Sequence, residues 1–159
     1  MLQPNQTKTF RASGARFAIV ASRYNAAYVD TMLDAAAKEL EQAGAKNVQV
    51  VRVPGAYEIP VVVSKLASGK GKNKFSGIIC LGVILRGQTV HAAHIGEAVS
   101  NALMQLQLTH GIPIIHEVLL LENEAQAKAR CQDKKHNRGT EAAQTALEMA
   151  QVMVSLQKL

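Results

Sequence analysis

Apolar residues in this chain fall into two patterns, short continuous runs and longer stripes with helical spacing. The longest run, Ile78–Leu85, contains no charged residue and has the aliphatic, β-branched make-up of a strand buried on both faces. Arg86-Gly87 turns the chain, and from Gln88 the spacing predicts a long amphipathic helix with Ile95, Val99, Ala102 and Leu106 inward. Thr109-His110-Gly111 stops it. Before this block, Arg16–Ala21 reads as a strand, Ser22–Asn25 as a break, and Ala26–Ala43 as a helix. Its stripe is Val29, Leu33, Ala36, Ala37 and Leu40, and Gly44 closes it as a left-handed cap. Val48–Val53 is a second strand, followed by a Pro54-Gly55 turn and a helix to about Leu66, with Glu58 in its first turn. Ile112–Leu121 is a fourth apolar run, interrupted by His116 and Glu117. A short helix over Glu122–Cys131 and a last one over Thr140–Leu156 complete the pattern, the latter with Ala143, Ala146, Leu147, Ala150 and Val154 inward.

Strands alternating with helices through short turns predict a parallel sheet covered on both faces. Ligands of such folds bind outside the carboxyl ends of the strands. Four turns lie there: Ser22–Asn25, Pro54–Glu58, Arg86–His91 and Leu121–Asn123. There is no internal repeat, so the expectation is one domain over 16–159 behind a flexible arm at 1–15.

Composition narrows the classes. With 159 residues, 48% hydrophobic and 19% charged, the chain can bury a substantial core. No apolar run approaches the length of a membrane span, and the polar start lacks a signal-peptide core, so the expected location is the cytoplasm. Two cysteines, Cys80 and Cys131, make no disulfide framework. The net charge of +6 concentrates in Lys65–Lys74 and Lys128–Arg138 without an aromatic platform, which favours solvated loops and an anionic small substrate over nucleic acid.

The candidate chemistry sits on the four turns. Gly87 lets backbone approach a ligand, the following helix start offers N–H groups to an anion, and Thr89 and His91 add a hydroxyl and an imidazole. Phosphate binding with proton transfer is one reading of this turn, and ordinary surface polarity is the other. Tyr24 either stacks on a flat ring or staples the first helix; Tyr57 and Glu58 either recognise a heterocycle or polyol, or Glu58 serves the helix dipole. Arg130 either holds a phosphate bidentately or is a solvated cation. His91 and His94 lack an Asp, Glu or Cys at zinc-ligand spacing. The Walker and GxGxxG patterns are absent.

Three separated motifs, PGAYEIP at 54–60, LGVILRGQTVH at 81–91 and NRGTEAAQTALEMA at 137–150, resemble the lumazine synthase family of riboflavin biosynthesis, over about Arg16 to Leu156. The resemblance implies a flavodoxin-like three-layer sandwich with a four-stranded parallel sheet. It also implies condensation of 5-amino-6-(D-ribitylamino)uracil with 3,4-dihydroxy-2-butanone 4-phosphate, with no metal or organic cofactor. By position, Tyr24 stacks on the pyrimidine, Ala56, Tyr57 and Glu58 contact the ribityl chain and ring, and Val83, Ile84 and Leu85 line the uracil pocket. Gln88 and Thr89 donate to the phosphate, and His91 transfers protons. His116 and Arg130 come from a neighbouring subunit, so the resemblance implies a homopentamer, sometimes built into an icosahedral shell. Three departures stand out: the usual HFEY or HFDY is His91-Ala92-Ala93-His94, FGVLT is His116-Glu117-Val118-Leu119-Leu120, and a frequent Lys is Arg138. An active synthase and a non-catalytic, flavin-binding shell are the two function classes left; retention of Thr89, His91 and Arg130 favours the enzyme.

Overall fold

The computed structural model describes residues 10–158. Four parallel strands, β1 (Phe17–Ser22), β2 (Gln49–Val53), β3 (Gly77–Leu85) and β4 (Ile114–Leu121), form one sheet in the order β2-β1-β3-β4. Five helices surround it: α1 (Ala26–Gln42), α2 (Ile59–Ala67), α3 (His91–His110), α4 (Glu124–Cys131) and α5 (Arg138–Leu156). A single 3₁₀ turn, Ala56–Glu58, leads into α2. The architecture is the expected flavodoxin-like three-layer sandwich.

Alternation along the strands sorts the core into two layers. Phe17, Ile19 and Ala21 of β1 pack with Val29, Met32, Ala36 and Leu40 of α1 and with Ala143, Ala146 and Leu147 of α5. Ala18 and Val20 point the other way, onto Ile59 and Val63 of α2 and Val99 and Leu103 of α3. The inner strands β1 and β3 are buried almost throughout, which is why their sequences read as unbroken apolar runs. Small residues bring α1 and α5 together: a Cβ on Gly139 would drive into the carbonyl of Met32.

The observed elements differ from the sequence pattern at their edges. The third helix begins at His91, because Arg86–Val90 forms an exposed loop and the Thr89 hydroxyl caps the His91 N–H at 3.4 Å. The last helix begins two residues early at Arg138, where the Asn137 side chain accepts from Gly139 N–H at 2.8 Å. Val154 is not inward; it is 54% exposed, past the turn of α5 that meets the sheet. On α1 the deepest residues include Met32, with Leu33 only partly buried. Of the expected arm, residues 1–9 lie outside the described residues. Phe10 and Ala15 pack against the core, and Ala12 N–H donates to the Ala43 carbonyl at 2.9 Å. Among the described residues no helix is long and apolar enough to cross a membrane.

Candidate active site

The turns after β1, β2 and β3 meet at the carboxyl edge of the sheet, and identifiable bonds hold them. Arg23 N–H donates to the Val53 carbonyl at 2.8 Å and Tyr24 N–H to the Pro54 carbonyl at 3.0 Å, joining the exits of β1 and β2. Asn25 then adopts a left-handed conformation (φ 57°) and its Nδ2 donates to the Val83 carbonyl at 2.8 Å, joining β1 to β3. Asn tolerates this conformation better than most residues, which suits it to start α1 while its amide reaches sideways. The sequence gives Asn25 only as part of a break; its bracing role needs the third dimension.

Within that frame Tyr24 and Tyr57 stand out from the surface, 74% and 63% exposed. Two large aromatic rings so open to water beside a strand edge are available for stacking. Ala56 is buried, and the Ala56–Glu58 turn packs against β3 and α3. One carboxylate oxygen of Glu58 accepts the Gly55 N–H at 2.9 Å, closing its own turn. The structural reading of Glu58 is therefore satisfied by one of its oxygens. Val83 and Ile84 are buried and Leu85 partly so, forming the apolar end of β3. Gln88, Thr89 and His91 are exposed on the loop and first turn that follow.

His116 sits elsewhere, and Arg130 belongs to α4, which follows β4. His116 pairs in register with Cys80, whereas the strand ends pair Leu121 with Leu85. At about 3.3 Å per residue, His116 lies roughly 16 Å back along the edge strand from the site end. Its ring faces α3, not the carboxyl edge: Nε2 lies 2.7 Å from the Ser100 hydroxyl. Arg130 is exposed in the last turn of α4, a helix started by Asn123 Oδ1 accepting from Gln126 N–H. A single chain thus gathers Tyr24, Ala56–Glu58, Val83–Leu85 and Gln88–His91 along one edge, with His116 farther back on β4 and Arg130 in the last turn of α4.

β4 also anchors an ion cluster that sequence reading missed. Arg138 grips Glu117 through Nε and Nη2, both at 3.0 Å, and Glu141 through Nη1 at 2.7 Å. Burial raises the Glu117 carboxyl above its ordinary range, Arg138 pulls it back, and Glu141 adds to the rise. Two departures from the resembled pattern, Glu117 and Arg138, are therefore partners. With its fork committed to two carboxylates, Arg138 is occupied by structure, leaving Arg130 as the exposed guanidinium of α4. The Cys131 thiol beside this cluster is pushed up to about 11 by burial and by Glu117, so it is no ready nucleophile.

A cavity of about 420 Å³ lies at the opposite end of the sheet, between the segment Arg11–Ala15 and the end of α5. It shares no residue with the edge just described. Among the described residues no three His, Cys, Asp or Glu side chains cluster as a metal site.

Comparison with known proteins adds a separate line. Residues 14–154 match the family model for 6,7-dimethyl-8-ribityllumazine synthase. Curated relatives bearing that name include one from Desulfotalea psychrophila, 40% identical over 92% of this chain and 94% of its own. Another, from Stenotrophomonas maltophilia, is 39% identical over 89% of this chain and 91% of its own. The relative from Buchnera aphidicola is 40% identical over 86% of each chain.

Proposed function

The chain belongs to the 6,7-dimethyl-8-ribityllumazine synthase family, and from that premise we propose how its residues carry out the condensation of 5-amino-6-(D-ribitylamino)uracil with 3,4-dihydroxy-2-butanone 4-phosphate. The protein is an enzyme of riboflavin biosynthesis, a transferase. An imine forms between the two substrates, phosphate is eliminated, and the ring closes with loss of water.

The observation that carries the assignment of roles is the braced edge where three strand-end turns meet, tied by Asn25 to Val83 and by Tyr24 to Pro54. Tyr24 stacks on the pyrimidine, and Ala56, Tyr57 and Glu58 contact the ribityl chain and ring. The free oxygen of Glu58 accepts from the substrate while its other oxygen keeps the turn closed. Val83, Ile84 and Leu85 wall the uracil. Gln88 and Thr89 donate to the butanone phosphate near the start of α3, where helix N–H groups also favour an anion. His91, first residue of that helix, moves protons between the amine, the imine carbon and the leaving group. Much of the acceleration comes from holding two reactive substrates in register.

Arg130 supplies the phosphate contact and His116 a pocket wall across a subunit boundary. The roughly 16 Å offset of His116 from its own chain's edge supports this. The working species is a homopentamer with shared sites, located in the cytoplasm, and the short loop between Arg130 and Gly139 favours closure into a larger shell. Incubating the protein with both substrates and following lumazine absorbance and phosphate release tests the reading. Product formation is expected; tight binding of lumazine without turnover would instead identify a non-catalytic scaffold.

A further inference from the structure

His116 occupies a position where the resembled pattern has an uncharged phenyl ring, and its hydrogen bonds define one protonation state. Val118 N–H donates to Nδ1 at 3.2 Å, so Nδ1 carries a lone pair. The Ser100 hydroxyl spends its single proton on the Gly96 carbonyl, one helical turn back, at 2.8 Å. Its contact with Nε2 at 2.7 Å must therefore run from Nε2–H to Oγ. Both ends agree on the neutral, Nε2-protonated imidazole. A second ring proton would point at the Val118 N–H.

The groups packed around the ring reinforce this. On β3 the register partner is Cys80, a buried thiol whose pKa burial pushes far up, so it stays uncharged. On α3 Ser100 faces the ring and is itself tied back to Gly96, and the nearest titratable residues of that helix, His94 and Glu97, are exposed. Glu117, next along β4, points to the opposite layer, where Arg138 holds it; α4 and α5 lie on that side too. Partial burial lowers the His116 pKa, offset in part by a backbone hydrogen bond, and no charged side chain contributes.

We propose that Ser100 is a positioning residue that locks His116 as a neutral flat ring, so that an imidazole serves as a pocket wall where an aromatic hydrocarbon would otherwise stand. The claim for the ring stands on the contacts above; its effect on the reaction rests on the placement of His116 in a neighbour's site. Without Ser100 the ring is free to turn, Nδ1 loses its alignment with Val118 N–H, and protonation no longer meets an opposing donor.

The test reads the ring and the reaction separately. Nitrogen magnetic resonance of the intact assembly labelled in histidine, assigned with His116→Gln, is followed from pH 8 to 5. The expected wild-type signal is the Nε2–H tautomer, with titration below the ordinary value of about 6.5. Ser100→Ala is expected to mix tautomers and bring titration back toward that value, and Ser100→Thr to restore the wild-type pattern. An Nδ1–H tautomer in the wild type, or a Ser100→Ala ring unchanged in tautomer and titration, overturns the proposal. In steady-state kinetics, Ser100→Ala should raise KM for the uracil substrate several-fold as pH falls through 6.5 with kcat little changed, and adding His116→Phe should abolish that pH dependence. If the ring responds as expected while KM stays flat, the positioning role holds and the placement of His116 in a shared pocket fails.

Discussion

At the scale of single residues, His91 and Tyr24 test chemistry and recognition separately. His91 opens α3 with its side chain exposed beside the Arg86–Val90 loop proposed to bind phosphate. His91→Ala should lower turnover about ten- to a thousandfold, at or below the usual span of general acid–base catalysis, because alignment of the substrates survives. Affinity for the uracil substrate should change little, since the proposed arrangement puts the imidazole beside the phosphate-bearing partner. Steady-state kinetics with both substrates varied checks this, and unchanged turnover would reduce His91 to a helix-start residue. Tyr24 is largely exposed, and among the described residues its hydroxyl makes no hydrogen bond. Tyr24→Phe should therefore be near neutral, whereas Tyr24→Ala should weaken binding of the uracil by about 0.5–1.5 kcal/mol beyond lost burial. A titration in which the Phe variant binds as poorly as the Ala variant would refute stacking.

At the scale of elements, what the sequence could show was set by distance along the chain. The runs at Phe17–Ser22 and Gly77–Leu85 were legible because strands covered on both faces carry no polar alternation. Gly44 was legible as a helix stop, and it does take a left-handed φ of 86°. The start of α3 was not, since Gln88 and Thr89 suit a helix until the loop and the Thr89 cap decide otherwise. Val154 continued the stripe of α5 in sequence, but the helix outruns the sheet there. Nothing local announces that Asn25 braces Val83 or that Glu117 waits for Arg138, 58 and 21 residues away.

That last pair yields a test at the same scale. The Glu117 side chain is 9% exposed and that of Arg138 33%. Breaking such a pair leaves a mostly buried carboxylate uncompensated, and after allowance for the exposed third of Arg138, Arg138→Met should cost about 2–3 kcal/mol at pH 7. Glu117 already has a raised pKa because burial outweighs Arg138, and losing Arg138 raises it further. A carboxyl whose folded pKa exceeds its unfolded one is favoured by protonation, so the deficit should shrink as pH falls from 7 toward 5. Denaturation curves at the two pH values measure it; a deficit that widens in acid would contradict the account of Glu117.

At the scale of the whole molecule, His116 sits apart from the edge proposed to recognise substrate, Leu121 rather than His116 meeting the end of β3, and with Arg130 it makes up the flank proposed to serve a neighbouring subunit. If neighbours complete one another, damage to the two halves need not fall on the same chain. His91→Ala ruins the edge, while Arg130→Ala, expected to lose nearly all activity with fold and assembly intact, ruins only the flank offered to the next subunit. When the two crippled proteins are coexpressed in equal amounts and mix at random around a ring, about one junction in four joins two undamaged halves. Such chimeric rings should regain roughly a quarter of the wild-type rate, although neither parent approaches it. Parents merely mixed after assembly should regain nothing, and coexpressed chains that also failed to recover would mean that each subunit works alone. If recovery is seen, the same division would give heredity an unusual latitude: a cell carrying two differently broken copies of this gene would still make its lumazine.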